Sequence, residues 1–169
     1  MAYQTGVQSL TTLTGTERVV VDNGNEPLKV TTTAVIDSFN TVNQQAYQTN
    51  TATTNATLTT ANVMGGVGGS DYIFLLMSGT LGSGQTITTP TAAALISAFN
   101  VSQVNQTWVL RVINASGGNF AWTLAGGTGV TLAGTLTIAQ NTWRDFLFTI
   151  TATATPTITV QAVGTGTNS

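Results

Sequence analysis

Apolar and polar side chains alternate most regularly in the second half of the chain. In "TWVLRVIN", Trp108, Leu110 and Val112 point one way and Val109, Arg111 and Ile113 the other. In "TWRDFLFTIT", Arg144, Phe146, Phe148 and Ile150 share a face. This period of two predicts strands near Asp71–Ser78, Thr107–Asn114, Asn119–Ala125, Val130–Ile138, Thr142–Thr151 and Thr157–Val163. The intervening "NASGGN", "AGGTG" and "LAG" are turn sequences of Gly and Asn. Short strands at this spacing predict a mainly β fold, an antiparallel β-sandwich or jelly-roll knob. One helix interrupts them: Thr89 as N-cap, Pro90 at the first helical position, then "TAAALISAF".

The first part of the chain reads differently. "RVVVD", Arg18–Asp22, is separated from "EPLKV" by Asn23-Gly24, a strong hairpin signal because the tight turn needs positive φ. Pro27 places the second strand at an edge or delays its start. "TTTAVIDSF" then predicts a short helix with a Thr cap and an apolar stripe of Ala34, Val35, Ile36 and Phe39. "VTTTAVIDSFN" echoes "ITTPTAAALISAFN", but the flanking strands do not match, so both read as ordinary capped helices. Between these parts, Thr41–Ser70 carries no charge, is dense in Thr and Asn, and ends in a Gly cluster. Three regions are therefore expected: an N-terminal module over 1–40, an uncharged arm or linker over 41–70, and a β knob over 71–169.

Composition narrows the chemistry. A chain of 169 residues without Cys needs no disulfide staple and has no thiolate or zinc-cysteine site. The absence of His removes the commonest general base and transition-metal ligand. Four basic residues and a net charge of −2 argue against nucleic acid and against an anionic membrane surface. "MAYQTGVQSL" has no basic n-region before an apolar core, so no secretion signal is expected. Charged residues make up 6% of the chain, against about 25% in an average domain. Six of these ten, Glu17, Arg18, Asp22, Glu26, Lys29 and Asp37, crowd into one short N-terminal stretch. A surface so poor in ions suits a protein that works inside an assembly.

Candidate sites are weak. "MGGVGGSD" lacks the Lys-Ser/Thr of a phosphate loop and reads as a hinge. "DNGNE" offers oxygen ligands but not the full calcium-loop spacing, and reads as a turn. "TITATATPTITV" sets Thr at every second position, a ladder of the type that orders water, interrupted by Pro156. Asp71 and Asp145 are the only carboxylates available for acid–base work in the knob. Trp108, Trp122 and Trp143 could form a sugar platform, although strand aromatics are more often core. Asn55, Asn100, Asn105 and Asn114 fall in glycosylation-type triplets at a frequency this composition explains. No catalytic constellation emerges, and neither a cofactor nor a metal is expected.

"LTTLTGTERVVVDNGNEPLKVTTTAVIDSF", Leu10–Phe39, resembles the N-terminal segment of structural proteins from tailed-bacteriophage virions. The stretch from "TITTPTAAALISAF" to "TWRDFLFTIT" resembles the β-sandwich knobs of capsid decoration (cement) and head-fibre proteins. The resemblance implies a non-enzymatic homotrimer on the outer surface of an icosahedral capsid, bridging neighbouring major capsid protein subunits. Complementary charge sets register and partner choice at interfaces, so Glu17, Arg18, Asp22, Glu26 and Lys29 become capsid-anchor candidates. Trp108, Trp122, Trp143, Phe146 and Phe148 become candidates for knob core or trimer packing. The alternative is a tail- or head-fibre adhesin whose knob binds a host-surface glycan.

Overall fold

The computed structural model describes residues 18–22, 27–31, 45–66, 68–99 and 102–168. The chain divides into two compact units, Met1–Val42 and Asn43–Ser169. In the first, β1 (Arg18–Asp22) and β2 (Pro27–Thr31) pair antiparallel from Arg18↔Thr31 to Asp22↔Pro27, the hairpin that Asn23-Gly24 predicts. Asn23–Glu26 and the helix expected over 31–39 lie outside the described residues, save Thr31 at the end of β2.

The second unit is mainly β and sandwich-like. Its larger sheet has six strands in the order β3-β5-β7-β11-β12-β9, and its smaller sheet four in the order β10-β8-β6-β4. The strands are β3 (Gln45–Asn50), β4 (Ala56–Thr57), β5 (Tyr72–Met77), β6 (Gln85–Thr88), β7 (Thr107–Asn114), β8 (Trp122–Ala125), β9 (Val130–Ala133), β10 (Thr137–Ile138), β11 (Thr142–Ala152) and β12 (Thr157–Thr167). Two short helices accompany them, α1 (Thr60–Met64) and α2 (Ala92–Ser97).

From β3 to β11 successive strands alternate between the two sheets. The chain thus winds as a flattened coil, with one strand in each sheet per turn, so neighbouring strands from successive turns run the same way. β3, β5 and β7 are parallel to one another, as are β4, β6 and β8. Only near the end does the chain reverse, making β7–β11, β11–β12 and β8–β10 antiparallel. The sheets are therefore mixed, a correction to the antiparallel expectation. Apolar alternation specifies which side chains face inward, not whether the next strand returns beside its predecessor or crosses the sandwich.

A further correction concerns the uncharged stretch 41–70. From Gln45 it is not an arm but supplies β3, β4 and α1 to the sandwich. Its few apolar residues do the work: Leu58, Val63 and Met64 are buried in the core. Thr59 caps α1 by accepting from the Asn62 amide while the Asn62 side chain accepts from the Thr59 amide. Two glycines of the Gly cluster, Gly65 and Gly69, have close neighbours. Gly65 ends α1 at φ 79°, and Gly69 lies so close to the Phe99 ring that a Cβ there would overlap it.

The second helix also starts later than expected. Thr91, not Thr89, caps α2 by accepting from the Ala94 amide, because Thr89 is buried and its hydroxyl instead accepts from the Gly127 amide. The run expected as one strand over Val130–Ile138 splits into β9 and β10, which join different sheets.

One hydrophobic core fills the space between the sheets. Ile73, Leu75, Met77, Leu110, Val112, Phe146, Phe148, Ile150, Ile158 and Val160 come from the larger sheet, and Ile87, Trp122, Leu124 and Ile138 from the smaller. Trp108 stacks on Phe148 at 5.0 Å between ring centroids, with Phe99 edge-on at 5.2 Å. The polar ends of the buried indoles are satisfied: Trp108 Nε1 donates to the Val63 carbonyl and Trp122 Nε1 to Ser116 Oγ.

Candidate interaction face

The outer face of the larger sheet collects the side chains that do not enter the core. Strand register sorts them into rows. One row runs Thr49–Leu76–Ile113–Trp143–Gly166, the next Tyr47–Phe74–Arg111–Asp145–Gly164, and a third Gln45–Tyr72–Val109–Leu147–Gln161. Beyond them Thr107, Thr149, Thr159 and Thr131 form a row of hydroxyls and methyls. The alternating Thr run thus folds back as a hairpin, its Thr151 and Thr157 hydroxyls 2.8 Å apart, rather than forming one continuous ladder.

The centre of this face is aromatic and holds one ion pair. Arg111 Nε and Nη2 donate to the two carboxylate oxygens of Asp145 at 2.7 Å each. The Tyr72 hydroxyl donates to the same carboxylate at 3.1 Å. The guanidinium lies 3.7 Å from the centroid of the Trp143 ring and within 6 Å of Tyr72 and Phe74. Trp143 fits because β12 carries glycine beside it: a Cβ on Gly166 would stand 2.6 Å from Trp143 Cζ2. The hydrogen bond to Asp145 raises the pKa of Arg111 further above its usual range. Burial, then the Asp145 charge, raise that of Tyr72, with Arg111 opposing.

This arrangement holds strands together and neutralises its own charge. It offers no free nucleophile or base, since the Tyr72 proton and the Asp145 oxygens are already engaged.

The predicted site residues separate accordingly. Trp108, Trp122, Phe146 and Phe148 are core, whereas Trp143 belongs to the outer face. The structure brings Trp143 together with Arg111 and Asp145, and separates it from the other tryptophans, so no three-indole platform exists. Asn114, in a glycosylation-type triplet, is fully buried with its amide committed to two carbonyls. Of the anchor candidates, Arg18, Asp22 and Lys29 lie on the β1–β2 hairpin, and Glu17 and Glu26 fall outside the described residues. Sequence reasoning missed Tyr47, Tyr72, Phe74 and Arg111 as a group. The signal was present in the apolar residues at both parities of "YIFLLM" and "TWVLRVIN", which mark strands with no purely solvent-facing side. Comparison with protein-family models, with curated proteins and with solved structures finds no match to this chain.

Proposed function

We propose that the protein is a non-enzymatic virion component that decorates the outside of a bacteriophage capsid as a homotrimer. In this reading the N-terminal unit grips the major capsid protein, and the β unit supplies self-association and exposed bulk. The observation that carries it is the segregation of charge between the two units. Six of the ten charged residues belong to Met1–Val42. The β unit has Asp71, Arg111, Arg144 and Asp145, so its formal charge is zero, and Arg111 and Asp145 neutralise each other directly. An electroneutral body with an apolar sheet face is suited to burial against copies of itself, while a charged hairpin is suited to selecting a different partner. Weak anchors engaged together on a capsid lattice reinforce one another. The glycan-adhesin reading draws less support, because two tryptophans are core and Arg111 occupies a ring face of the third.

The test is co-sedimentation of the full chain with tailed-phage capsids stripped of accessory proteins. Binding should saturate at a fixed copy number, and the pair Arg18→Glu and Lys29→Glu should weaken it at least ~10-fold. Absence of binding to such capsids would overturn the reading.

A further inference from the structure

Among the described residues, the two edge segments of the larger sheet carry neither charge nor Pro. Isolated proteins blunt edge strands with charge, Pro or a covering element, because a free row of N–H and C=O groups recruits another strand. At one end of the sheet stands β3, "QAYQTN", with no charge and no Pro. At the other end β9 pairs only with Ile158–Gln161 of β12. The Ala162 carbonyl is taken by the Gln161 side chain, which leaves "VGTGT", Val163–Thr167, as a second uncharged edge. Among the described residues no strand pairs with the outer side of either segment. The large apolar side chains most exposed in the described part of the molecule stand on these two edges, Tyr47 at 61% and Val163 at 53%. The bulge beside Val163 bends that edge without charging it.

Strand direction makes the two edges complementary. β3 is parallel to β5 and β5 to β7; β7 is antiparallel to β11, and β11 to β12. Two reversals cancel, so β3 and β12 run the same way. A rotation about an axis parallel to the strands keeps that direction, and therefore brings β3 of one copy alongside β12 of the next as a parallel pair. The segments are of similar length, Gln45–Asn50 against Val163–Thr167. We infer that β3 of one copy hydrogen-bonds to Val163–Thr167 of a second copy, joining copies head to tail into a closed ring. A heterologous contact of this type closes when the rotation divides the circle. With the core side of each sheet already covered, the ring can turn the face of Tyr47, Phe74, Trp143 and Leu147 toward its axis. The inference comes from topology and edge chemistry, and it holds or fails whether or not a capsid is the partner.

The experiment is sedimentation velocity and native mass spectrometry on the full chain, on Tyr47→Lys, on Val163→Lys, and on an equimolar mixture of the two variants. Both positions are more than half exposed, so the variants should fold and keep the parent's circular dichroism. The parent should form a discrete oligomer and each variant a monomer. The mixture should form a dimer and nothing larger, because each variant retains one intact edge. Hydrogen exchange on the parent is a check without substitutions. The outward-pointing amides within Gln45–Asn50 and Val163–Thr167, those not turned toward β5 or β11, should be protected at oligomer-forming concentration and lose protection on dilution. A monomeric parent, variants that assemble like the parent, a mixture that stays monomeric, or edge amides indifferent to dilution would each overturn the inference.

Discussion

Tyr72 donates its proton to a carboxylate already clamped by Arg111, and its own titration reports on that geometry. Burial and the Asp145 charge raise its pKa above the ordinary 10.0. The native state therefore holds the phenolic proton more tightly than the unfolded chain does. Its contribution to stability is full below about pH 10 and is lost as pH rises through the higher native value. Tyr72→Phe should cost about 1 kcal/mol at neutral pH through the lost hydrogen bond. It should also flatten the fall in denaturation midpoint above pH 10, measured by urea titration at a series of alkaline pH values; an unchanged alkaline slope would place the titration elsewhere. The members of this cluster were visible in the sequence as charged or aromatic residues on strands. Their meeting was not. Arg111 and Asp145 become neighbours only because β11 pairs with β7 after the chain has visited β8, β9 and β10.

At the scale of elements, Asn114 joins the end of β7 to the smaller sheet. Its amide donates to the carbonyls of Phe120 and Ile138, and its side-chain oxygen accepts from the Ser116 amide. Asn114→Ala would strand these backbone groups in a fully buried site and should cost about 3 kcal/mol, read from denaturant unfolding. Asn114→Asp, which keeps the acceptor but loses both donors, should be no less damaging. Helix positions show where local patterning succeeds. A Thr cap before "AAALIS" was legible, but the choice between Thr89 and Thr91 was not, because Thr89 is taken by Gly127 from a turn distant in sequence. The short run "TANVM" gave too little period to read, yet its capping box and Gly65 stop are complete. The echo that matters also differs from the one visible in the sequence. α1 and α2 each follow a strand of the parallel set β4, β6 and β8, at the same place in successive turns of the coil.

Across the whole molecule the scarcity of ions has a measurable consequence. The chain has no His and no Cys, and therefore no side chain whose ordinary pKa lies between about 6 and 8. Stability should be nearly level across that range, with a melting temperature varying by no more than about 2 °C between pH 6 and 8. A steep slope there would overturn this expectation. The same scarcity leaves the edge segments Gln45–Asn50 and Val163–Thr167 without charged side chains, the compositional half of the argument for the proposed strand pairing between copies.

Period-two alternation and Gly-Asn turns are local, and from them the mainly β class and most core aromatics could be read. The crossing of the chain between sheets, the mixed strand directions, the folding of 45–66 into the sandwich and the pairing of Arg111 with Asp145 depend on contacts between distant residues. Alternation tells each strand which side to bury, and is satisfied equally by many orders of strands. Packing both sheets around one shared core, and closing the hydrogen-bond ladders of each, selects one order from among them.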